Sequence, residues 1–244
     1  MSERETVQLE SGYVLHHQAY RNTSRMVDVL TENHGLVTLI AQGARRPQTR
    51  QRAMLQPFVS LTLSWVRRGE LGKLTYVESQ AQAFDFTGKQ LMAGFYLNEL
   101  LLRLLARGDA NPAAFSCYSR CLAELALDGN VERPLRLFEL HLLKALGYEL
   151  NLNHEADSGS LIQPEARYFF ELERGPRVCQ ELIEGTEVYF GRDLIALHEE
   201  KLDDEKSLGA AKRLLRRVLR LYLGERPLKT RMVFSELFGK GLEL

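Results

Sequence analysis

Charge of one sign is missing in excess: 32 Lys and Arg stand against 32 Asp and Glu in 244 residues. That balance excludes a protein whose whole surface is basic, as in a histone, but not a basic patch offset by acid elsewhere. Cysteine is scarce. Cys117, Cys121 and Cys179 are odd in number and, apart from one i, i+4 pair, far apart, so they form no disulfide framework and fit a reducing cytoplasm. No run of about 18 uncharged apolar residues occurs, which excludes a spanning helix of the usual kind. Met1 to Glu10 has neither the apolar centre nor the small-residue cleavage site of a secretory signal, so the expectation is a soluble, unexported chain. Catalytic signatures are missing as well. Gly69-Glu70-Leu71-Gly72-Lys73 lacks the spacing and the following Ser or Thr of a phosphate-binding loop. There is no Gly-x-Ser-x-Gly turn and no His-Glu-x-x-His helix. The six histidines are scattered, and Cys117 with Cys121 reads as a packed pair of small apolar side chains rather than half of a metal site. Nothing in this inventory requires an enzyme, a cofactor or a metal.

What is present is a globular composition, 45% hydrophobic and 26% charged, at a length that suits one large or two ordinary domains. From Val7 to about Glu78, short runs rich in Val, Thr and Tyr alternate with polar turns, which predicts five strands near 7–16, 25–32, 35–43, 54–66 and 71–78. Five strands in so short a stretch suit a closed or nearly closed barrel, because closure removes exposed edges. After Phe86 the period changes to that of helices. Residues 91–107 are apolar nearly all round, and further helices follow at 112–127 and from Glu132-Arg133-Pro134 to Gly147. Residues 150–190 read as a small irregular insert around the strand-like Tyr168-Phe169-Phe170. Helices resume at 192–200, 206–223 and 230–238.

Counted by segment, the neutral total comes apart. Residues 41–73 hold Arg45, Arg46, Arg50, Arg52, Arg67, Arg68 and Lys73 against Glu70 alone, a local +6. Residues 206–231 hold nine cations against Glu225, or +8, and residues 128–205 offset both with 18 acidic and 8 basic side chains. On the 206–223 helix, Lys212, Arg213, Arg216, Arg217 and Arg220 fall within an arc of roughly 140° at 100° per residue. One such face is as readily a solvated helix surface as a binding site, but two basic regions, one of them on a small barrel, point to a polyanion. Tyr20, Phe58, Trp65 and Tyr76 are the barrel aromatics that would either stack on bases or fill the core.

The runs Gly12-Tyr-Val-Leu15, Tyr20-Arg-Asn-Thr-Ser24, Asp28-Val-Leu-Thr-Glu32, Ala41-Gln-Gly-Ala-Arg-Arg46 and Leu55-Gln-Pro-Phe58 resemble the N-terminal part of the RecO family of bacterial DNA repair proteins. Tyr96-Leu-Asn-Glu-Leu100, Leu135-Arg-Leu-Phe-Glu-Leu140, Leu146-Gly-Tyr148 and Pro227-Leu-Lys-Thr-Arg231 continue the likeness over almost the whole chain. Each motif is weak alone; their order and spacing together are specific.

The resemblance implies an α+β protein: an OB-fold DNA-binding domain at 1–80, a helical domain at 81–149 resumed at 192–244, and the insert at 150–191. It further implies a non-enzymatic recombination mediator of the RecF pathway. Such proteins bind single- and double-stranded DNA, anneal complementary strands and, with RecR, help load RecA onto strands coated by single-stranded DNA-binding protein, with RecF a further partner. The corresponding location is the cytoplasm, at the nucleoid during repair. On that reading, DNA contacts are expected from Arg21, Arg25, the barrel cations named above, the Lys212–Arg220 face, Lys229 and Arg231. The resemblance also places the acidic, apolar-ended tail of single-stranded DNA-binding protein on the helical part. There Arg136, with Leu140 and Leu143 one and two turns on, would receive it, unless Arg136 pairs with a neighbouring carboxylate instead. Many family members carry a four-cysteine zinc module in the insert. Here the matching places are His154, Asp157, Cys179 and Leu182, and with no fourth ligand the expectation is no zinc. A non-catalytic helical adaptor for acidic protein tails, without a direct DNA role, is the alternative.

Overall fold

The computed structural model describes residues 4–46, 49–81, 83–127, 130–181 and 185–239, so Leu182 of the insert lies outside the described residues. The chain divides into two compact units, Met1–Gly129 with Pro227–Leu244, and Asn130–Arg226.

In the first unit, β1 (Glu5–Tyr20), β2 (Ser24–Thr31), β3 (Gly35–Ala41), β4 (Ser60–Arg68) and β5 (Leu71–Ser79) close into a barrel in the order β1-β2-β3-β5-β4. Every neighbouring pair is antiparallel except β3 and β5. This is the five-stranded connectivity of an OB-fold. Closure depends on β1, whose first half pairs with β4 and whose second half pairs with β2, the two ladders overlapping at Gly12 and Tyr13. Bulges at Val7/Glu10 and Val14/His16 supply the bend. At Gly12 a Cβ would sit 2.8 Å from Leu63 Cδ1 and 2.9 Å from Val29 Cγ1, so a side chain where the ladders converge would have to displace both core side chains. Val14, Val27, Val29, Leu39, Leu61, Leu63 and Trp65 fill the interior.

The strand expected at 54–66 is corrected. Residues Arg50–Met54 form one helical segment, α1, and the strand begins only at Ser60. Pro57 has no N–H for a ladder, so pairing resumes beyond it. Phe58 and Trp65 are core residues, Trp65 fully buried and Phe58 packed against Phe86 and Phe95, so neither presents a face to a base.

Three helices complete this unit: α2 (Gly88–Leu104), α3 (Pro112–Leu127) and, after the chain has left and returned, α7 (Lys229–Phe238). The change of period near residue 84 thus separates strands from helices within one unit. Asn98 on α2, 2% exposed, donates from Nδ2 to the Leu15 carbonyl on β1 at 2.9 Å and accepts the Tyr118 hydroxyl of α3 at 2.6 Å. The Tyr13 ring of β1 meets Phe115 and Tyr118 edge to face or tilted. The Glu99 carboxylate accepts from the backbone N–H groups of Lys229 and Thr230 and from the Thr230 hydroxyl, capping the start of α7.

The second unit contains α4 (Glu132–Ala145), strands β6 (Arg167–Glu171), β7 (Gly175–Val178) and β8 (Val188–Phe190), then α5 (Gly191–His198) and α6 (Glu205–Leu223). The segment expected to be irregular holds a three-stranded sheet with β6 in the middle, antiparallel on both sides. Tyr168 and Phe170 of β6 and Tyr189 of β8 are buried in it, and the flanking strands carry little signal in sequence because one opens on Gly175-Pro176 and the other is a three-residue edge. Helix α6 is capped by Asp204, which accepts from the N–H groups of Lys206 and Ser207. It buries Ala210, Ala211, Leu214, Leu215, Val218 and Leu219.

Replacing Asn98 with alanine strands a buried carbonyl and a buried hydroxyl together. The expected loss is roughly 3 kcal/mol, read as a lower urea midpoint with an unchanged m-value.

Candidate nucleic-acid interface

The barrel cations sort into two groups. The first gathers at the β1–β2 turn, the β3–α1 loop and α1. Arg21 on the turn is exposed, with its guanidinium 5.3 Å from the centroid of the Tyr20 ring, and its carbonyl accepts from Arg45 Nη1 at 2.8 Å. Arg25 on β2 is half-buried and points at the Leu55 carbonyl, 3.5 Å away. Burial, then the charges of Arg52 and Arg45, make its guanidinium give up a proton more readily than an isolated one. Arg45, Arg46, Arg50 and Arg52 are all exposed or nearly so. Among the described residues none of these six arginines forms an ion pair. Cations crowded without counter-charge are costly unless an anion joins them.

The second group lies on the β4–β5 hairpin. Arg4, Arg67, Arg68 and Lys73 line an open cleft of about 390 Å³ whose floor includes Ile40, Val66 and Leu71. Arg67 is already paired, donating from Nε to Glu5 at 2.6 Å. Arg4 was not singled out in the sequence, since nothing there shows that the start of β1 runs beside the hairpin.

His17 on β1, one of the scattered histidines, lies beside the first group. Burial and the Arg25 charge hold its imidazole below the ordinary value, against a hydrogen bond with Gln56. Arg107 is a second residue with no sequence signal: its Nη1 donates to Asp28 at 2.8 Å, a partner 79 positions away.

In the second unit, Arg213, Arg216 and Arg220 are exposed on α6 and Lys212 and Arg217 are half-buried. The face is partly neutralised: Lys212 lies 3.7 Å from Glu132, and Arg213 lies 3.6 Å from Glu187 and over the Tyr189 ring. Lys229 is exposed at the start of α7, whereas Arg231 is turned back on Tyr96, donating to its hydroxyl at 2.9 Å.

Arg136 is not where a tail carboxylate could reach it. It is 2% exposed and pairs with Glu139, itself fully buried, at 3.1 Å, while Leu143 is fully buried and Leu140 half-buried. The expectation of an open guanidinium beside an apolar strip gives way to the pairing alternative. The cause is that position 136 faces the core of α4, where five of its six immediate neighbours from Pro134 to Leu140 are buried too.

Among the described residues of the insert, the candidate ligands are engaged by other side chains and backbone groups. Asp157 accepts from Arg177 Nε at 2.6 Å and Arg174 Nη2 at 3.3 Å, and Glu171 is shared by the same two arginines. His154 Nδ1 is bonded to Asn153, and the Cys179 thiol to the Glu181 carbonyl. Among the described residues no three potential ligands converge.

A five-stranded OB barrel with unneutralised arginines, followed by a helical unit, defines a class of two-part α+β proteins, and the comparisons narrow it. A family model described as "Recombination protein O N terminal" matches residues 6–82, and one described as "Recombination protein O C terminal" matches residues 86–232. The "DNA repair protein RecO" of Nitrosococcus oceani is 45% identical over 232 residues, covering 95% of this chain and 94% of the relative. Those of Methylococcus capsulatus and Actinobacillus pleuropneumoniae serotype 5b are 41% and 39% identical over 228 and 233 residues, covering 93% and 95% of this chain and 93% and 96% of the relatives. The chain belongs to the RecO family.

Two outcomes follow. The fold prefers neutral His17, so its share of stability is present above about pH 6.5 and is lost as the pH falls below that toward the lowered folded value. In NMR titration its ring C–H midpoint is expected below 6.5. Arg136→Ala removes the guanidinium 3.1 Å from the fully buried Glu139 carboxylate and is expected to cost about 3–5 kcal/mol in chemical denaturation.

Proposed function

We propose that this protein is a DNA repair and recombination mediator that binds single- and double-stranded DNA through the barrel cations and anneals complementary strands. With RecR it would help load RecA onto DNA coated by single-stranded DNA-binding protein. Membership of the RecO family supports the repair role. The observation that carries DNA binding is the convergence of Arg21, Arg25, Arg45 and Arg52 from three separated segments, with no carboxylate paired to any of them among the described residues.

The mechanism needs no bond-making group. Guanidinium groups replace counterions along the phosphates, and release of those ions drives binding. Contacts to phosphate carry no sequence information, so one surface serves any strand. Annealing follows when bound cations reduce repulsion between two backbones while the base edges stay unread. The exposed arginines of α6 are a further polyanion surface on the second unit. Capture of an acidic tail would use a surface other than Arg136, whose guanidinium is enclosed.

The test is anisotropy of a labelled oligothymidylate across NaCl concentrations in EDTA, with the wild type and with Arg45, Arg46, Arg50 and Arg52 all changed to alanine. The quadruple variant is expected to bind more weakly. The slope of log K against log salt should fall by about 0.7 for each phosphate that the variant no longer neutralises. Unchanged affinity and slope would remove these residues from the interface, and retained binding of an acidic peptide alone would favour an adaptor.

A further inference from the structure

In OB-folds the oligonucleotide usually crosses the outer face of the second and third strands, between the loop joining strands 1 and 2 and the loop joining strands 4 and 5. Here that middle stretch is covered. Arg107 bonds to both Asp28 of β2 and Thr38 of β3, and His16 lies 3.4 Å from the other oxygen of Asp28. The Gly108 N–H donates to the Leu36 carbonyl at 3.0 Å. Gly35 sits so tightly under the same segment that a Cβ there would be 2.0 Å from the Asp109 carbonyl oxygen. The 107–109 segment therefore occupies the β2–β3 face of its own barrel.

A second track joins the same two loops. It starts in the cleft of the β4–β5 hairpin, where Arg68 and Lys73 are exposed around an aliphatic floor and Leu71 is 45% exposed. Its volume, about 390 Å³, is within the range of small-ligand sites. Along β5, Lys73 and Thr75 face outward together, and Tyr76 follows with 41% of its surface exposed. The Tyr76 hydroxyl is held by Glu78 at 2.6 Å, which fixes the ring, and the charge of Arg50 on α1 reaches it. Arg52, two residues on from Arg50, leads to Arg25 and Arg45.

We propose that single-stranded nucleic acid crosses this barrel along β5 and α1 instead of β2–β3, with one nucleotide seated in the Arg68–Lys73 cleft and a base stacked on Tyr76. Phosphates then pass from Lys73 to Arg50 and on to the Arg25–Arg45–Arg52 cluster. The track combines cations with an exposed aromatic, as sequence-tolerant binding of single strands requires. A duplex, whose bases are already stacked, gains nothing from Tyr76. The inference rests on the DNA-binding reading of the barrel and adds a route to it.

The experiment is photocrosslinking of the full-length wild-type protein to a 12-nucleotide oligothymidylate carrying 5-iododeoxyuridine, with the site mapped by mass spectrometry. It is paired with anisotropy for Tyr76→Ala, Tyr76→Phe and Lys73→Ala. Crosslinks are expected at Tyr76. Tyr76→Ala should weaken single-strand binding about five-fold or more while leaving duplex binding nearly unchanged. Tyr76→Phe, which keeps the ring, should stay near the wild type, and Lys73→Ala should weaken both and lower the salt slope. Crosslinks confined to β2 or β3, with Tyr76→Ala binding normally, would overturn the route while leaving DNA binding intact. Absence of any binding by the wild type at low salt would overturn the DNA reading itself, and the route with it.

Discussion

Closure of five strands around one apolar interior is the constraint on which the rest of the first unit depends. It is achieved by a single long strand that spends one half on β4 and the other on β2, and a side chain at Gly12, where the ladders meet, would have to displace Leu63 and Val29. A closed barrel has no edge to protect. Its outer surface is therefore free for charge, and the two hairpin ends, the Arg21 turn and the Arg68-Gly69-Glu70 turn, carry cations with few acids among them. The helices do not disturb this surface at those ends. Helix α2 attaches through Asn98 to the Leu15 carbonyl, and the α2–α3 connection attaches through Arg107 to Asp28 and Thr38.

Two arginines that the fold encloses to different degrees show why charge alone is a poor guide to function. Arg136 has a carboxylate at 3.1 Å, whereas Arg25 has the Leu55 carbonyl at 3.5 Å and, as charged neighbours, Arg45 and Arg52. The first is paired through Nη2, while its Nε and Nη1 are buried without a hydrogen-bond partner among the described residues. The second is only half-buried and has no carboxylate paired to it among the described residues. Charge segregation along the chain therefore has two outcomes in space, and ion-pair geometry separates them.

The barrel and most helices were legible because period-2 and period-3.6 patterns are local. The family motifs were legible as well, and two of them prove to be one contact: Glu99 of Tyr96-Leu-Asn-Glu-Leu100 caps the helix that begins in Pro227-Leu-Lys-Thr-Arg231. What the sequence could not show was set by non-local geometry. Arg4 joins the hairpin cleft, Arg107 covers a sheet face from 79 residues away, and Asp157 is drawn into a ring of guanidinium groups. The face of α4 that Arg136 occupies was misjudged because its i+4 and i+7 partners mark an apolar strip, and that strip is the side turned inward.

The capping of α7 by Glu99 has a consequence for how the protein is made. The first unit is discontinuous: its barrel and first two long helices emerge early, but the segment that closes over Tyr96 and Glu99 is translated only after the whole second unit. During synthesis all of Asn130–Arg226 must leave the ribosome before that carboxylate meets its N–H partners. The surface of α2 that α7 will cover therefore stays open to solvent until then, the state in which long-range contacts are slow to form and chaperones find their substrates.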